Sequence, residues 1–79
     1  MADIISPLPG VFYRSPSPDK DPYVNEGDVV VVGQTIGMVE IMKQFSEIRS
    51  EVAGILVAFL VIDSGTVMPG AVIATIEET

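Results

Sequence analysis

The 79-residue chain is expected to fold as an all-β domain, a flattened barrel or sandwich of two antiparallel sheets related by a quasi-twofold axis. Three observations lead there. No segment sustains a helical period over three turns. Short runs rich in Val and Ile recur between turn signals at Gly10, Asn25-Glu26-Gly27-Asp28, Gly33-Gln34, Gly54, Asp63-Ser64-Gly65 and Pro69-Gly70. The second half of the chain also repeats the first. A chain this short buries only about 60% of its unfolded surface, so a single domain over residues 1–79 with a simple, regular core is expected.

From the N-terminus, the first irregular segment is Arg14-Ser15-Pro16-Ser17-Pro18-Asp19-Lys20-Asp21-Pro22, with three prolines and four charges. Proline fixes φ and removes ladder donors, so residues 14–22 are expected to form a stiffened loop projecting from the sheet. Thr35–Ile41 and Val72–Ile76 read as strands, and Phe45–Ser50 and Ile55–Val61 as further candidates. The repeat sets Val24–Glu40 against Ile62–Glu77, with Ile36 matching Ile73, Val39 matching Ile76 and Glu40 matching Glu77. Pairing Gly27 with Gly65 and Gly33 with Gly70 requires one residue to be gained or lost between the glycines. Neither half is long enough to bury its own apolar face, so the two are expected to pack face to face.

The repeat also places Lys43, one of two lysines in the chain. It lies three residues beyond Glu40, and the same step beyond Glu77 runs off the chain. Lys43 is therefore expected in a tight hairpin turn within about residues 40–46, at the end of the sandwich away from the termini. Three roles compete for it. A solubilising turn lysine is one, but such a turn more naturally carries Gly, Asn or Asp than the Ile41, Met42 and Phe45 found here. A Schiff-base lysine needs a desolvated pocket, which an exposed tip lacks. An acceptor of covalent modification needs only an exposed, uniquely presented amine.

Composition narrows the chemistry. The chain has no His, Cys or Trp, so Cys/His metal sites, disulfides, Ser-His or Cys-His pairs and imidazole acid–base work are out of reach. That points away from catalysis by this chain and identifies no metal site. A net charge of −7 argues against nucleic acid and against anionic membranes. The longest apolar run, Ile55 to Ile62, is well short of the roughly 18 residues that span a bilayer. The opening residues also lack a basic, apolar leader. A cytoplasmic location is the expectation.

The residues together resemble the biotinyl domain of biotin carboxyl carrier proteins, most closely that of bacterial acetyl-CoA carboxylase. Glu40-Ile41-Met42-Lys43-Gln44 stands where that family carries Glu-Ala-Met-Lys-Met, so Ile41 and Gln44 depart from its pattern. Ser6 to Asp19 resembles its opening strand and protruding thumb loop, which related lipoyl domains generally lack. Ala53-Gly54-Ile55 resembles the turn and strand after the attachment hairpin. The second half is one residue shorter after Gly65 than the family's common pattern, which should alter a turn and not the fold.

The resemblance implies biotin on Lys43, attached by a biotin protein ligase that reads Glu40, Met42 and Gln44. It implies a biotin carboxylase and a carboxyltransferase as partners, and a thumb of Pro16, Ser17, Pro18 and Asp19 that contacts the biotin. A lipoyl carrier of an oxoacid dehydrogenase complex and an unmodified β binding module remain as alternatives.

Overall fold

The computed structural model describes residues 1–78 and contains eight strands and no helix among them: β1 (Ala2–Ile5), β2 (Gly10–Tyr13), β3 (Val29–Val30), β4 (Thr35–Ile41), β5 (Gln44–Arg49), β6 (Gly54–Phe59), β7 (Gly65–Val67) and β8 (Val72–Glu78). They form two four-stranded antiparallel sheets, ordered β1-β8-β6-β3 and β5-β4-β2-β7. No helix among the described residues is long and apolar enough to cross a membrane.

Exchanging β1 with β5, β2 with β6, β3 with β7 and β4 with β8 turns one sheet order into the other. The exchange holds residue by residue. An offset of 44 takes Ile4 to Ile48, Ser6 to Ser50 and Phe12 to Leu56, and an offset of 37 takes Val30 to Val67, Ile36 to Ile73 and Val39 to Ile76; all twelve are buried. Both serines fold back in the same way, each hydroxyl donating to the carbonyl two residues on (Leu8 and Val52) at 2.6 Å.

The offset of 37 is constant through the turns, which corrects the glycine alignment expected from the sequence. Gly27 N donates to Leu56 O and Ser64 N to Phe12 O, each at 2.7 Å, so Ser64 occupies the position of Gly27. Both have positive φ, 94° at Gly27 and 67° at Ser64. No residue is gained or lost between the turns. Gly65 instead corresponds to Asp28, and both donate their amides three residues back, to Ile62 O and Asn25 O.

The halves differ in one connection. The change of offset from 44 to 37 leaves seven extra residues between β2 and β3, and they fall in the Pro-rich segment. That loop is closed at its base, where Tyr23 N donates to Arg14 O at 2.9 Å. Arg14 is anchored in turn: its guanidinium carbon lies 4.2 Å from the centre of the Phe59 ring, a cation–π arrangement.

The core lies between the sheets and is built from alternate strand positions, as period-2 side chains require. Each sheet contributes an Ile or Val from every strand pair, with Phe12 in one and Leu56 in the other. The larger Phe12 leaves no room for a side chain at Gly37, where a Cβ would come within 2.5 Å of its ring. At the related positions stand Leu56 and Ala74. The bigger residue of one pair goes with the smaller of the other, which keeps the two halves of the core similarly filled.

Candidate functional site

β4 and β5 pair from Thr35↔Arg49 to Ile41↔Gln44, which leaves Met42 and Lys43 as a two-residue loop. Both have positive φ, 50° and 68°. That is the signature of a type I′ hairpin turn, whose twist matches the flanking strands and which normally selects Asn-Gly. Here two long side chains occupy a backbone that disfavours them. Met42 is 92% exposed, and Lys43 and Gln44 are exposed beside it. β5 then runs away from the turn to Arg49, and the next strand begins at Gly54 in register with Glu78. Lys43 thus stands at the end of the sandwich opposite the C-terminal strand's last residues.

A groove of about 360 Å³ opens one residue pair from the turn. Its walls are Pro16, Ser17 and Pro18 of the loop, Glu40 and Phe45 of the hairpin, and Tyr13, Asp63 and Ser64. The Tyr13 and Phe45 rings are 6.5 Å apart and tilted by 49°, and they supply an aromatic surface. The Tyr13 hydroxyl donates to Glu40 Oε1 at 3.1 Å. That hydrogen bond, then burial, then the charges of Glu40 and Asp63 push the Tyr13 phenol above its ordinary pKa. Asp63 Oδ1 accepts the Arg14 amide at 2.8 Å, which ties the loop's base to the turn before β7.

The residues singled out in the sequence therefore fall into two groups. Glu40 meets Pro16, Ser17 and Pro18 across the groove, whereas Met42, Lys43 and Gln44 project from the turn outside its walls. Asp19 faces along its own loop, where Ser17 Oγ donates to its Oδ1 at 2.7 Å and lowers its carboxyl pKa. Tyr13, Asp63 and Ser64 were not legible as site residues. Tyr13 follows an unremarkable apolar run, and Asp63 and Ser64 belong to a turn nearly fifty residues away from the Arg14 amide that Asp63 accepts.

Residues 2–76 match the family model described as biotin-requiring enzyme. The chain belongs to that family. Its curated relatives in the family include the biotin carboxyl carrier protein of acetyl-CoA carboxylase from Porphyra purpurea, 38% identical over 76 residues, which are 96% of this chain and 48% of the relative. The protein of the same description from Haemophilus influenzae is 42% identical over 62 residues, 78% of this chain and 40% of the relative. That from Streptococcus pyogenes is 45% identical over 60 residues, 75% of this chain and 36% of the relative. The chain spans about half the length, or less, of the curated relatives it matches.

Proposed function

We propose that this chain is the biotin-bearing carrier domain of an acetyl-CoA carboxylase, with biotin amide-linked to the Lys43 ε-amine. One observation carries the reading: a two-residue turn that favours Asn-Gly instead presents Met42 and Lys43, both exposed. A left-handed backbone is costly for long side chains, and an amine offered to another enzyme gives that cost a purpose. The relatives named as biotin carboxyl carrier proteins support the same reading.

In this role the chain contributes no acid or base. A biotin protein ligase forms the amide and reads Glu40, Met42 and Gln44 around the acceptor. Attached biotin supplies a ureido nitrogen that takes a carboxyl group on a biotin carboxylase and yields it on a carboxyltransferase. Lys43 is the tether, and the rigid hairpin fixes its root. A short tether holds its cargo at roughly millimolar concentration near a partner's site. Pro16, Ser17 and Pro18 wall a resting place for the ring, which Glu40 and Asp63 line with acceptors.

Intact mass after co-expression with a biotin protein ligase tests the assignment. A biotin increment that disappears in Lys43→Arg is expected. A lipoyl increment would replace the reading with a lipoyl carrier. No increment with either ligase would leave an unmodified β binding module.

A further inference from the structure

The groove beside the turn has a charge pattern that bears on when it can be filled. Its walls carry two carboxylates, Glu40 and Asp63, and no lysine or arginine. Each carboxylate has one oxygen fixed by the fold, Glu40 Oε1 by the Tyr13 hydroxyl and Asp63 Oδ1 by the Arg14 amide. The second oxygen of each has no hydrogen-bond partner among the described residues. Arg14, whose amide Asp63 accepts, has its guanidinium stacked on Phe59 and does not line the groove. Two carboxylates that share the groove walls with the Tyr13 and Phe45 rings suit a flat, neutral ring with two N–H donors. A volume of about 360 Å³ lies within the usual range of small-ligand clefts.

We propose that Glu40 and Asp63 make this groove selective for the charge state of the ring on Lys43, so that it holds the neutral cyclic urea and rejects the same ring bearing an N-carboxylate. The inference rests on biotin being attached at Lys43 and resting in the groove. Carboxylation replaces one ring N–H by N–CO₂⁻; the carboxyl carbon comes from bicarbonate, ATP is split to ADP and phosphate, and the ring proton is released. The ring thereby loses a donor and gains a negative charge. An acceptor that bound the N–H now faces an anion, and like charges at contact distance repel strongly where water is partly excluded. The empty arm rests against the domain and the loaded arm swings free.

The test attaches the ring chemically, so that ligase specificity plays no part. A Lys43→Cys variant is alkylated with iodoacetyl derivatives of three rings: biotin, N-methylbiotin and N-carboxymethylbiotin, the last a stable anion. Amide chemical shifts of Ser17, Phe45 and Ser64 report docking. Biotin is expected to shift all three relative to a carbamidomethyl control. The methyl ring should keep most of the effect, and the anionic ring should dock at least about tenfold less. In Asp63→Asn/Glu40→Gln the anionic ring should recover, since both amides retain an acceptor for the Arg14 and Tyr13 donors.

An anionic ring that docks as well as biotin overturns the proposal and leaves the groove as the resting place. A methyl ring lost as completely as the anion overturns it in favour of size or of the missing N–H donor. Biotin that shifts none of the three amides removes the resting place itself, and the proposal with it. Biotinylation of Lys43 by the ligase, measured separately on the unaltered chain, stands whatever the groove does.

Discussion

Replacing Lys43 by glycine should make the domain more stable while removing the amine proposed as the biotin acceptor. Lys43 has φ 68°, and a left-handed backbone costs an L-residue about 1–2 kcal/mol. Glycine relieves that cost but gains freedom in the unfolded chain, worth roughly 0.5–1 kcal/mol against the fold. The Lys43 side chain is exposed, and no hydrogen bond or ion pair among the described residues depends on it. The net gain is therefore about 0–1.5 kcal/mol, with a midpoint of about 0.75 kcal/mol. For a domain of this size the midpoint raises Tm by roughly 3–6 °C. Thermal unfolding of the unmodified chain and of Lys43→Gly, followed by circular dichroism, measures it. A lower Tm in the variant would refute the reasoning, because the lysine would then be holding the turn.

Gly37→Ala should cost about 1–3 kcal/mol by overpacking, since its Cβ would lie 2.5 Å from the Phe12 ring. Combined with Phe12→Leu, which copies the pair Leu56 and Ala74, it should cost less than the two single changes summed in urea unfolding. Deleting residues 15–21 removes the seven-residue excess of the first half; the fold should survive with less than about 1 kcal/mol change, while transfer kinetics of the modified domain should alter. Unchanged transfer rates in a biotinylated deletion would discard the loop's role.

Alkaline titration at 295 nm addresses the groove. The raised Tyr13 phenol, held first by its bond to Glu40, should fall toward its ordinary value of about 10 in Glu40→Ala. Tyr23, raised first by burial, should stay where it is. The folded chain keeps the Tyr13 proton where the unfolded chain has lost it. That contribution to stability is complete below the unfolded phenol's pKa and disappears as pH rises through the folded value. A Tyr13 midpoint unmoved by Glu40→Ala would remove the hydrogen bond as its cause.

Much of this architecture is readable in the residues because each half must obey period 2 with one face buried. Thr35–Ile41, read as a strand between turn signals, emerges as β4 with the same bounds, and β8 extends the Val72–Ile76 reading by two residues. The short strands β3 and β7 escaped, since two or three residues carry no period. The glycine alignment misled for a physical reason. Glycine marks a positive φ, but Ser64 adopts one without being glycine, so matching glycine to glycine shifted the register by a residue.

The same limit applies to the site. Glu40 and Lys43 share one short motif and the Pro-rich loop is one unbroken segment, so each stood out in the sequence. Tyr13, Asp63 and Ser64 reach the groove only through the pairing of β2 with β4 and β7. Long-range pairing of that kind leaves no local mark. The tie between Asp63 Oδ1 and the Arg14 amide belongs to the same class.

The most direct measurement is fragmentation mass spectrometry of the chain after incubation with a biotin protein ligase, ATP and biotin, with the increment assigned to a residue. The chain has two lysines, Lys20 and Lys43, so the assignment is unambiguous. Biotin on the fragment containing Lys43, with Lys20 unmodified, is the expected result. Biotin on Lys20, or none on either under conditions that fully modify a known carrier domain, would contradict the assignment of Lys43.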